Sequence, residues 1–78
     1  MRILEILPLL SRMDRLIRLK STGSLEAFSR RLAVSKKTVR NYINLLKSMG
    51  AEIYFSKTNS TYYYQTSFNL KDAIISFL

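Results

Sequence analysis

The chain has no cysteine and no histidine, and only one proline and two glycines. Without cysteine there are no disulfide staples and no thiolate metal sites, so the core must hold by packing alone, as suits a reducing compartment. Without histidine, imidazole catalysis and most transition-metal sites are excluded as well. No cofactor is expected. Long apolar runs are also missing: Ile3-Leu4 and Leu9-Leu10 are broken by charge within a few residues. Nothing approaches the ~18 apolar residues of a membrane span. Glu5 and Pro8 interrupt the stretch that an export signal would need, so no export signal is read and a cytoplasmic location is expected. Asn59-Ser60-Thr61 spells a glycosylation acceptor, which without export is a chance tripeptide in a turn.

Acidic residues are scarce too. Thirteen Lys and Arg face five Asp and Glu, for a net charge of +8 and a pI near 10.2. The bases are not spread evenly. Between Arg12 and Lys47 lie Arg12, Arg15, Arg18, Lys20, Arg30, Arg31, Lys36, Lys37, Arg40 and Lys47, opposed only by Asp14 and Glu26. Outside that segment the charges cancel. So concentrated an excess points to an anionic partner, the bland alternative being a solvated basic surface. Seventy-eight residues with 47% apolar content make one small globular domain, residues 1–78. Length and composition argue against an enzyme, and no small-molecule ligand is expected.

Apolar spacing divides the chain into elements. Ile6, Leu9, Leu10, Met13, Leu16 and Ile17 recur at three and four residues, which predicts a helix over 8–20 with Pro8 in its first turn. Ser24 fits an N-cap for a short helix, 25–33, whose face is Leu25, Phe28 and Leu32. Ser35 is the next N-cap, opening a third helix over 36–49 that Gly50 closes in a left-handed conformation. After Gly50 the residues become aromatic and β-branched, and Ile53-Tyr54-Phe55 and Thr61 to Thr66 predict a hairpin over 53–66 with a loop of four or five residues. The apolar tail, 70–78, fits a short helix, a strand or a dimer contact.

The third helix is the most informative element. Val39, Ile43, Leu46, Tyr42 and Met49 make one apolar face. Opposite them stand Lys37, Arg40, Asn41, Asn44 and Ser48, with no acid anywhere on the helix. Those side-chain types read base edges and grip phosphates. A face kept only for solubility usually mixes signs in Glu–Lys pairs four apart. Lys36 and Lys37 also occupy the positive end of the helix dipole, where a cation is locally unfavourable unless an anion docks there.

Two short helices joined by Ala33-Val34-Ser35 describe a helix-turn-helix. The stretch from Ser24 to Gly50 resembles that of bacterial winged-helix regulators, and is similar to DeoR-type and biotin-repressor-type domains and to the N-terminal domain of WYL regulators. The family's apolar positions fall on Phe28, Leu32, Val34, Val39 and Tyr42, and Val34 through Leu46 follow its Val-Ser-x-x-Thr-Val-x-x-x-Ile-x-x-Leu pattern. Ser29 stands where the family usually has Ala, and Ala33 where it has a turn Gly. The resemblance, over about residues 8–68, implies an α+β winged helix-turn-helix: three helices followed by a hairpin wing. It implies a sequence-specific double-stranded DNA-binding protein, a small nucleoid-associated bacterial regulator. Lys37, Arg40, Asn41 and Asn44 would then face bases, Lys36 and Thr38 phosphates, and Lys57 and Asn59 would form the wing contact.

Other readings stay open at this stage. A winged-helix module binding an acidic protein could use the same basic face. Membrane-surface binding by the first helix competes with the domain's own need for that apolar stripe. Alternation puts Tyr62 and Tyr64 on one face of the hairpin and Tyr63 on the other. Their expected role is core packing rather than stacking on bases. Apolar residues at both ends, Ile3, Leu4, Ile6 and Leu7 with Ile74, Ile75, Phe77 and Leu78, lead us to expect a homodimer, against simple packing within one subunit.

Overall fold

A computed structural model of the protein describes residues 3–78. Met1 and Arg2, which the sequence reading included in the domain, lie outside the described residues, as do the side chains of Ile3 and Phe77. Three helices come first: α1 (Ile3–Arg18), α2 (Leu25–Leu32) and α3 (Lys36–Ser48). A two-stranded antiparallel hairpin follows, β1 (Ile53–Ser56) and β2 (Thr61–Tyr64), and then α4 (Leu70–Phe77). This is an α+β winged helix with a fourth helix added behind the wing.

α1 begins at Ile3 and not at Pro8, and ends at Arg18 and not at Lys20. Ile6 and Leu7 pack against the core, which extends the helix upstream of the proline. Pro8 removes only the bond that its N–H would have made to the Leu4 carbonyl, and Leu4 is exposed to water. Lys20 turns left-handed (φ +54°), so the Lys20 and Ser21 amides cap the Ile17 and Leu16 carbonyls at 3.1 and 3.0 Å.

Serine caps open the next two helices. The Ser24 side chain accepts from the Ala27 amide, and Ser35 from the Thr38 amide. α2 stops at Leu32 because Ala33 is left-handed (φ +57°), and the Val34 amide reaches back to the Ser29 carbonyl. Buried Ser29 donates its hydroxyl to the Glu26 carbonyl (2.7 Å), so the extra oxygen is satisfied inside the helix crossing. Gly50 (φ +105°) ends α3 after Met49 in the same way, the Ala51 amide bonding the Leu46 carbonyl. A residue with a Cβ in the left-handed region costs about 1–2 kcal/mol, and glycine does not. Ala33→Gly should therefore raise stability by about 0.5–1 kcal/mol, after allowance for the freer unfolded chain. Urea unfolding checks this, and a less stable variant would contradict the strain assignment.

Leu10, Met13 and Ile17 of α1, Phe28 and Leu32 of α2, and Val39, Ile43 and Leu46 of α3 form the core, closed by Ile53 and by Leu70 and Ile74 of α4. The hairpin register pairs Ile53 with Tyr64, Tyr54 with Tyr63, and Phe55 with Tyr62, around the loop 57–60. Tyr62 and Tyr64 therefore lie over the core, while Tyr63 meets Tyr54 on the outer face. The free edge of β2 is held by the loop before α2. Fully buried Thr22 accepts from the Tyr62 amide (2.8 Å), and its own amide donates to the Thr61 hydroxyl (3.2 Å).

One buried charge ties the helices to the hairpin. Asp14 accepts from the Tyr64 hydroxyl (2.7 Å) and the Arg18 guanidinium (2.9 Å). Burial, then the hydrogen bond to this carboxylate, pushes the Tyr64 phenol well above its ordinary range. A raised folded-state value means that the contribution of Tyr64 is complete below about pH 10 and is lost as pH rises further.

Candidate nucleic-acid interface

α3 turns Val39, Ile43 and Leu46 inward and leaves Lys36, Lys37, Arg40, Asn41, Asn44 and Lys47 exposed. Among the described residues no side-chain hydrogen bond or ion pair holds Lys36, Lys37, Arg40, Asn41 or Asn44. Most arginines elsewhere are committed to the fold. Arg12 donates to the Arg31 carbonyl (2.8 Å), Arg31 to the Ser21 carbonyl, Arg18 to Asp14, and Arg30 to Glu26 (3.1 Å). Arg15 is exposed beside them on α1. The basic segment that looks uniform in the sequence thus divides into arginines spent on the fold and charges left free, most of them on α3.

The first turn of α3 has no acid. Its capping oxygen and the Ser35 carbonyl satisfy the Thr38 and Val39 amides, leaving the Lys36 and Lys37 amides pointing out of the helix start beside two ammonium groups. Thr38 is half-buried, and its hydroxyl accepts from Ser35 (3.0 Å), which leaves only its own proton to offer an incoming acceptor. Amides, dipole and cations at one helix end suit a phosphate oxygen. Farther along, the exposed guanidinium and carboxamides match the donor and acceptor edges of bases in a major groove, which admits a helix of this width.

The hairpin flanks this helix. Phe28, Tyr62 and Phe55 stack in succession, with ring centroids 5.8 and 4.9 Å apart. Burial raises the Tyr62 phenol, and the positive charge of Arg40 opposes that rise, so Tyr62 sits within electrostatic reach of α3. Lys57 and Asn59 are exposed in the loop at the hairpin tip, where the Asn59 amide is fixed to the Ser56 hydroxyl (3.2 Å). Two neighbours were missed in the sequence: Arg40 with Tyr62, and Lys20 at the end of α1, which lines a cleft with Asn59. Both arise from tertiary folding between distant segments and leave no local signal.

Among the described residues, no helix is long and apolar enough to cross a membrane. Comparison with curated proteins found no match, and comparison with solved structures found none. A family model described as an HTH domain matches residues 2–65, which takes in α1, both helices of the turn and the whole hairpin. With its exposed basic helix and adjoining wing, the chain belongs to this helix-turn-helix family, a DNA-binding architecture.

Proposed function

We propose that this protein is a small bacterial transcriptional regulator that binds double-stranded DNA sequence-specifically, acting in the cytoplasm at the nucleoid. α3 enters the major groove by its N-terminal half. Lys37, Arg40, Asn41 and Asn44 meet base edges, Lys36 and Thr38 meet phosphates, and Lys57 and Asn59 touch the flanking backbone. The observation that carries this reading is the solvent face of α3, where every polar side chain from Lys36 to Asn44 except Thr38 lacks a protein partner. A surface evolved only for solubility would pair such charges with acids. A salt titration of duplex binding tests it. Five to seven neutralised phosphates give a log–log slope of about −4 to −6. A slope near zero would exclude a phosphate-based interface.

We further propose that the regulator works as a homodimer. Leu70 and Ile74 are covered within the subunit, which answers part of the apolar excess at the chain ends. Leu4, Ile75 and Leu78 remain 70%, 63% and 77% exposed, and Ile75 joins Leu7, Leu70 and Ile74 in an open groove between α1 and α4 that Asp14, Arg18 and Lys71 border. Pairing two copies there removes these side chains from water and doubles the DNA contacts, with half-sites about one helical turn apart. Sedimentation of the full chain and of the Ile75→Glu variant is expected to give a dimer and a monomer respectively. A full chain that stays monomeric at tens of micromolar, free and on DNA, would contradict it.

A further inference from the structure

The sequence marks the wing with a single cation, Lys57, which is little charge for a phosphate-gripping element. The fold supplies a second from a distant segment. Lys20, just past the end of α1, joins Ser56, Asn59, Thr61 and Tyr63 around a cleft of about 240 Å³ on the flank of the hairpin. Each of these five side chains carries a hydrogen-bond donor, and no carboxylate lines the cleft. The Thr61 hydroxyl is already engaged with Thr22 and the Tyr62 carbonyl, and Ser56 holds the loop by accepting from the Asn59 amide. That leaves the Lys20 ammonium, the Asn59 carboxamide and the Tyr63 hydroxyl as the groups without a protein partner among the described residues. Lys20 is exposed, and no ion pair among the described residues neutralises it.

We propose that this cleft is a second phosphate-binding site, in which Lys20, Asn59 and Tyr63 together hold a backbone phosphate of the DNA whose major groove α3 occupies. The inference rests on the DNA-binding reading and assigns to the wing a cation that the hairpin itself does not contain. A cleft with several donors, a positive charge and no carboxylate favours an anion with acceptor oxygens, and a backbone phosphodiester presents two of them.

The left-handed φ of Lys20 makes the test clean. Lys20→Gly removes the ammonium at a position where glycine is the preferred residue, so the variant keeps its fold and melts at or above the wild type. Arg15→Ala removes the same charge at an exposed position on α1 that lines neither this cleft nor the α1–α4 groove. The measurement is fluorescence anisotropy with a labelled random-sequence duplex of about 20 base pairs, from about 50 to 200 mM salt. Lys20→Gly is expected to bind roughly 3–10-fold more weakly, with the salt slope reduced in magnitude by about one, while Arg15→Ala stays close to wild type. Lys20→Arg should restore the slope. A wild-type chain that binds with a steep slope, with Lys20→Gly unchanged, overturns the cleft and leaves the α3 reading standing. Equal losses for Lys20→Gly and Arg15→Ala reduce the effect to net charge and overturn it as well. A wild-type chain that ignores duplex DNA overturns both.

Discussion

Phe28→Ala is expected to lower stability by about 3–5 kcal/mol. Phe28 is fully buried on α2, projects into the centre of the three-helix core, and carries the ring of Tyr62 against it at 5.8 Å. Truncation loses the transfer free energy of the ring and leaves a cavity bounded by α1, α3 and β2, elements too tightly connected to collapse into it. Small domains hold only about 5–15 kcal/mol in total, so this change consumes much of the margin. It also removes the support beneath Tyr62, a hairpin residue that feels the charge of Arg40, so the wing should loosen with the core. Thermal melting followed by circular dichroism checks the first effect. A melting temperature near wild type would mean that Phe28 is not at the centre of the core.

Arg40→Ala should cost about 1–3 kcal/mol on the preferred duplex, roughly 5–150-fold in affinity, and should relax discrimination at one base position. Arg40 is exposed, has no ion pair among the described residues, and lies on the α3 face with Asn41 and Asn44. A guanidinium in a major groove pairs bidentately with guanine, an interaction absent from any other base pair. Lys36→Ala should behave differently. Its ammonium stands at the helix start, where it meets a phosphate whatever the sequence, so all duplexes should weaken about equally and the salt slope should fall by about one. Both affinities are measurable by titration on preferred and scrambled duplexes. Identical behaviour of the two variants on both would contradict the division of α3 into base-facing and phosphate-facing residues.

What the sequence made legible was mostly local chemistry. Ser24 and Ser35 announce their helices because a hydroxyl before an apolar period satisfies amides that nothing else can reach, and both caps are formed. Gly50 closes α3 for the equally local reason that a left-handed residue is needed there. The face of α3 follows from a period that leaves no acid on the polar side. The start of α1 was misplaced because Pro8 is a strong local start signal, whereas the helix extends to Ile3 through packing of Ile6 and Leu7, which only the tertiary fold supplies. The tail was ambiguous for a related reason. Asn69 does cap α4 by accepting from the Asp72 amide, but a helix of eight residues is marginal alone and forms here because Leu70 and Ile74 find the core. Thr22 against β2, Asp14 beneath Tyr64, and Lys20 beside Asn59 join residues far apart in the chain, and no spacing rule connects them.

Selection of bound duplexes from a random pool, with the full chain as bait, tests most directly the claim that α3 reads sequence. The account predicts enrichment of a short motif, repeated with two-fold symmetry about one helical turn apart, and loss of one position of that motif when Arg40→Ala replaces the wild type. A pool that binds with a steep salt dependence but shows no enrichment after repeated rounds would contradict it, because phosphates alone would then account for all the affinity.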